Sequence, residues 1–78
     1  MFWQDSRRRQ RSARACVVDM NGTGTLVKSG TSIDPGTFVS IRFRELGLMG
    51  SAVVRHCDTR MLSYRIGLQF SGPLTYRF

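Results

Sequence analysis

The chain has little of what most chemistry needs. It holds a single histidine, His56, two cysteines, Cys16 and Cys57, and five acidic residues in all 78. From that inventory no Ser-His-Asp or Cys-His-Asn set, metal cluster or phosphate-binding P-loop can be assembled, so the expected activity is binding and not catalysis. The cysteines stand far apart, match no metal spacing and sit in apolar runs, where a cysteine reads as a small buried hydrophobe and a disulfide is not expected. His56 beside Cys57 lacks the further ligands of a zinc site and reads as structural. No run approaches the roughly 20 apolar residues that span a bilayer, and Met1-Phe2-Trp3 is too short for a signal sequence, so no membrane insertion and a cytoplasmic location are expected.

Lysine is nearly missing too. Of twelve Lys and Arg only Lys28 is lysine, and the formal net charge is +7. Arginine carries a planar fork of donors that suits phosphate oxygens and the O6/N7 edge of guanine, so the bias suits an anionic partner, while composition alone fits a solubilising surface equally well and position must decide. The cluster Arg7-Arg8-Arg9, with Arg11 and Arg14 behind it, is its densest part.

What the chain does have is turn punctuation. Asn21-Gly22, Gly24, Ser29-Gly30, Asp34-Pro35-Gly36, Gly47, Gly50, Asp58-Thr59 and Ser71-Gly72-Pro73 separate short apolar runs, an all-β rhythm. Val39, Ile41 and Phe43 alternate with Ser40, Arg42 and Arg44, and Tyr64, Ile66, Leu68 and Phe70 alternate with Arg65, Gly67 and Gln69, the period of half-buried strands. Further strands are expected at Ala13–Met20, Thr25–Lys28 and Ser51–Cys57. In Asp34-Pro35-Gly36, proline presets one corner of a turn and glycine accepts a positive φ after it. The expected fold is an all-β, small antiparallel β-barrel of five to six strands over residues 13–72, preceded by a basic segment, 1–12, and followed by a tail, 73–78.

Three features stand in order: Arg7-x-x-x-Arg11, then Asp19-x-Asn21-x-x-Gly24 at a strand end, then the closing strand Tyr64-Arg65-Ile66-Gly67-Leu68-Gln69-Phe70. With Ile33-Asp34-Pro35-Gly36-Thr37-Phe38-Val39 and Gly50-Ser51-Ala52-Val53-Val54-Arg55 between them, the set resembles the PilZ family of small bacterial β-barrels, over roughly Ala13 to Phe70. That family is read as a receptor for the second messenger cyclic di-GMP, with an R-x-x-x-R arm and a [D/N]-x-S-x-x-G turn.

The resemblance implies a cyclic di-GMP site made of Arg7, Arg11, Asp19, Asn21 and Gly24, with no further cofactor. Asp19 would accept from the guanine N1–H and amine, Gly24 would let backbone approach the ligand, and Arg7 and Arg11 would clamp phosphates and stack on bases. Ligand binding would order the arginine arm and so change the surface offered to an effector protein.

Two departures are visible. Asn21 stands where the family motif has serine, and only seven residues separate Arg11 from Asp19, where the family has a full strand. Two placements of the N-terminus are therefore open. Either Arg7 and Arg11 form the binding arm, or Phe2-Trp3-Gln4 ends the first strand, Asp5 to Gln10 is its hairpin loop and Arg11 to Met20 is the second strand. A helix over residues 4–14, without an apolar stripe, is a third possibility for the segment. On the hairpin placement the family's arm is missing and the barrel binds cyclic di-GMP poorly or not at all, leaving a protein-interaction adaptor. A basic barrel that binds nucleic acid nonspecifically is a further alternative, weakened by the want of an aromatic platform beyond Trp3.

Overall fold

The computed structural model describes residues 1–76, all in strands and connecting turns. Eight strands follow one another: β1 (Phe2–Gln4), β2 (Gln10–Ser12), β3 (Ala15–Met20), β4 (Gly24–Ser29), β5 (Phe38–Phe43), β6 (Leu48–Arg60), β7 (Ser63–Phe70) and β8 (Thr75–Tyr76). All pairings are antiparallel, in the order β2-β1-β5-β6-β7-β4-β3, with β8 added against the start of β6. The first and last strands of that order, β2 and β3, are consecutive pieces of one run, parted only by Ala13 and Arg14. The curled sheet thus returns to its own beginning, which is how a small β-protein limits its unpaired edges. The described part of the 73–78 tail supplies β8, while Arg77 and Phe78 lie outside the described residues.

Alternation fixes which residues turn inward. On β5, Val39 and Ile41 are buried while Phe38, Ser40 and Arg42 are exposed, as the sequence period requires. Trp3, Val27, Ile33, Val39, Ile41, Ala52, Val54, Ile66 and Leu68 make the core, with Tyr64, Phe43 and Phe70 half-buried around it. Trp3 is 7% exposed and therefore closes the barrel and is not free to stack on a base. Two buried hydroxyls are satisfied locally: Thr25 donates to the Asp19 carbonyl and Ser29 to the Thr31 carbonyl.

The N-terminus takes the hairpin placement. Phe2, Trp3 and Gln4 pair with Ser12, Arg11 and Gln10, so neither a free arm nor a helix is formed there. The strand expected at Ala13–Met20 forms as β3 from Ala15, while the longer run Arg11 to Met20 of the hairpin placement is divided, because the chain leaves β1 after Ser12 and joins β4 from Ala15 onward. Strand β6 runs to Arg60, past the expected end at Cys57, and carries Asp58 and Thr59 inside the ladder with β7. The reversal falls on Met61-Leu62, where Met61 takes φ 49° although neither residue is a usual turn former. The Asp34-Pro35-Gly36 turn forms as expected, with Gly36 at φ 90°.

Cys16 is exposed, contrary to its reading as a buried hydrophobe, because β3 pairs only with β4 and shows four consecutive exposed residues. Among them Val17 and Val18 are about half exposed, and Val18 is the extra residue of a β-bulge. No helix among the described residues is long and apolar enough to cross a membrane.

Candidate functional site

Arg7 and Arg11 stand on the β1–β2 hairpin, and the hairpin is organised by an acid. The Asp5 carboxylate accepts the backbone N–H groups of Arg7 and Arg9 through Oδ1, each at 2.9 Å, and its Oδ2 lies 3.7 Å from Arg11 Nη1. The Arg8 N–H donates to the Asp5 carbonyl and the Asp5 N–H to the Arg9 carbonyl, which closes the loop with Arg8 at φ 60°. The hydrogen bond from the Arg9 amide is the largest influence on the Asp5 carboxyl; desolvation opposes it, and the Arg7 amide with the charges of Arg11 and Arg9 tips the balance, holding the carboxyl below its ordinary range. This loop is a fixed turn with cations on its outside. Asp5 carries that construction, and its signal in the sequence is a single acid at the head of an arginine run.

Arg7, Arg9 and Arg11 line a cleft of about 340 Å³ with Ser32, Ile33, Asp34 and Thr37 of the β4–β5 connection, and Trp3 forms part of its wall. Three arginines against two acids, Asp5 and Asp34, leave the opening net positive, which favours an anion.

Asp19, Asn21 and Gly24 are placed elsewhere. They form the β3–β4 turn, at the start of β4, whereas the arginine cleft adjoins the loop that leaves the other end of the same strand. None of the three lines that cleft. The structure therefore gathers Arg7 with Arg11, and Asp19 with Asn21 and Gly24, as two groups at opposite ends of β4.

Within the turn the polar atoms bond to the chain itself. Asn21 Oδ1 accepts from the Thr23 N–H at 2.8 Å, the Thr23 hydroxyl at 2.8 Å and the Gly24 N–H at 3.1 Å, while the Asn21 N–H donates to the Gly24 carbonyl. That is an Asx turn, a side chain copying a backbone turn. The exposed Asp19 carboxylate accepts the Met20 N–H. Gly24 faces the backbone of β7 so closely that a Cβ there would run into the Leu68 carbonyl oxygen. Close approach is needed at this glycine, but by a neighbouring strand within the barrel.

His56 is likewise structural in its surroundings. Its ring covers Gly67, leaving no space for a Cβ there, and its Nδ1 lies 3.3 Å from Asp58. Among the described residues no group of three or more His, Cys, Asp or Glu is arranged to hold a metal ion. Of the other arginines, Arg55 donates to Gln69 and Arg65 to Ser63.

Sequence reasoning missed two surface features. Phe38 is 70% exposed and sits beside Phe2 on the outer face of the sheet, a position legible from its phase with Ser40 and Arg42. The hairpin tip Met61-Leu62 is almost wholly exposed, and no turn signal marked it. Compared with models of protein families, with curated proteins and with solved structures, the chain gives no match.

Proposed function

We propose that the chain is a PilZ-like barrel that serves as a protein-interaction adaptor in bacterial second-messenger signalling, in the cytoplasm, without a nucleotide of its own. The placement of the implied ligand residues carries this reading: Arg7 and Arg11 at one end of β4, Asp19, Asn21 and Gly24 at the other. A dinucleotide clamp requires guanine acceptors and phosphate donors around one opening, because bidentate contacts act only at hydrogen-bond distance. The hairpin also supports it, since a loop already tied by Asp5 has little disorder for a ligand to remove. Exposed Met61 and Leu62 supply an apolar contact that a partner would cover, as expected of an adaptor and not of a free-standing surface.

The second reading, a cyclic di-GMP receptor, is favoured by the arginine cleft itself. There Asp34 stands among Arg7, Arg9 and Arg11 and offers a carboxylate to a guanine edge in place of Asp19. Calorimetric titration of the full chain with cyclic di-GMP at moderate salt, with GTP as competitor, separates the two. The adaptor reading expects no heat from a chain whose circular dichroism shows folded β-structure. Saturable, selective binding that is lost in Arg7→Ala and Asp34→Ala overturns it in favour of the receptor.

A further inference from the structure

The outer face of β1, β5 and the adjoining part of β6 carries two solvent-exposed aromatic rings in a polar frame, Phe38 and, beneath the Arg42 guanidinium, Phe2. Phe2 lies opposite Ser12 on one side and Ser40 on the other, Ser40 lies opposite Ser51, and Phe38 lies opposite Val53, which in turn lies opposite Gln69. Residues opposed across antiparallel strands project to the same face, and so do residues two apart on one strand. Phe2 and Phe38 are therefore diagonal neighbours, at about 7–8 Å between Cα atoms, each presenting a ring to solvent. They are 45% and 70% exposed and line an open trough of about 560 Å³ together with Gln4, Gln10, Ser40 and Ser51.

Two arginines stand on this face beyond the residues that line the trough, whose own charged members are Asp5 and Asp34. The Arg42 guanidinium lies 5.6 Å from the centre of the Phe2 ring, and Arg55 is held at the far side by Gln69. At the end, the Asp5 turn shared by the trough and the arginine cleft turns Arg7 and Arg9 toward the cleft. Two acids, Asp5 and Asp34, touch both openings, and Asp5 is already engaged by Arg7, Arg9 and Arg11.

Exposed ring faces for bases, amide and hydroxyl groups for base edges, and arginines for the backbone are the three parts of a single-strand platform. A duplex keeps its bases stacked inside and has no use for the rings. We propose that this face binds single-stranded nucleic acid, with successive bases on Phe2 and Phe38 and the phosphates along Arg42 and Arg55. The assignment stands on the outer face and is independent of the adaptor reading.

Fluorescence anisotropy of a labelled oligothymidylate and the matching oligouridylate, each titrated with the full chain at moderate salt, tests it. Both single strands bind more tightly than the corresponding duplex, and a difference between the two tells whether the 2′-hydroxyl is read. Phe38→Ala lowers the affinity about tenfold, Phe38→Leu nearly as much, and Phe38→Tyr little, because stacking needs a π face and not merely apolar area. Inorganic polyphosphate binds all four proteins equally. The ring is largely exposed, so these variants keep the fold. Absence of oligonucleotide binding overturns the proposal. So does parental affinity in Phe38→Ala, which would leave the aromatic face to a protein partner and any binding to charge alone.

Discussion

The β1–β2 hairpin and the β3–β4 turn are built by one device and put to opposite uses. In each, a single side-chain oxygen collects backbone N–H groups: Asp5 Oδ1 takes those of Arg7 and Arg9, and Asn21 Oδ1 takes those of Thr23 and Gly24. The loop of the hairpin then stands clear of the core with its arginines exposed, while β1 behind it is anchored by Trp3. The β3–β4 turn is locked to the barrel instead, because Gly24 lies against the Leu68 carbonyl and the Phe70 N–H donates to Thr23. A polar, glycine-containing turn is thus compatible either with a ligand or with its own closure, and the neighbours of the turn decide which.

Substitution at the locked turn has the largest effect. Gly24→Ala puts a methyl group against rigid backbone, so β4 and β7 must separate; overpacking of this kind costs about 2–3 kcal/mol. In thermal unfolding that is a fall in Tm of roughly 10–20 °C. A Tm within about 2 °C of the parent would show that β7 yields easily and that Gly24 is free for another role. Asn21→Ala removes three acceptor contacts at an exposed corner and costs about 1 kcal/mol, which denaturant titration resolves as a shift in midpoint.

Turning to the tip of the β6–β7 hairpin sharpens the contrast, because nothing there collects amides and Met61 holds a left-handed conformation that a β-carbon disfavours by about 1 kcal/mol. Met61→Gly therefore stabilises the fold by up to that amount, and an unchanged or lower Tm would contradict the assigned strain. Asp5→Asn, the smallest change globally, leaves Tm near the parent's but broadens or shifts the Arg7 and Arg9 amide resonances.

The same amides report the titration of Asp5. Its carboxyl ionises at lower pH in the folded chain than in the unfolded one, so the hairpin bonds are complete above the unfolded value, near pH 4. They are lost as the pH falls through the lower, folded value. A midpoint at or above pH 4 in an amide titration would mean that the carboxylate does not hold the loop.

Periodicity made much of the architecture readable before any coordinates. Val39, Ile41 and Phe43, and Ile66 with Leu68, turn inward as their alternation demands, and Asp34-Pro35-Gly36 reverses the chain where proline and glycine permit. Cys16 escaped because local sequence cannot tell an edge strand from a covered one; its exposure follows from which strand β3 does not pair with. Asp58-Thr59 looked like a turn, yet eight ladder partners between β6 and β7 carry it through as strand and move the reversal to Met61-Leu62. For the candidate site, the arginines and the Asp19 turn were visible as residues, but their separation along β4 depends on the three-dimensional path of the hairpin. The exposed faces of Phe2 and Phe38 lay in the pattern, on the polar phase of their strands, and only the pairing of β1 with β5 brings them together.

Because β2 and β3 are one run of chain, the seam of the barrel has a kinetic meaning. Four pairings, β1 with β2, β3 with β4, β5 with β6 and β6 with β7, join neighbours in sequence and can form as separate hairpins. β1 with β5 and β4 with β7 bring together partners roughly forty residues apart, and β8 returns to β6 across a shorter stretch. Those two closures carry most of the loop entropy, and neither shortens the other's path until the hairpins exist. Refolding should accordingly be limited by the meeting of preformed hairpins, in the millisecond-to-second range of non-local β-proteins, with quenching or shift of Trp3 fluorescence marking the moment β1 docks and the seam is sealed.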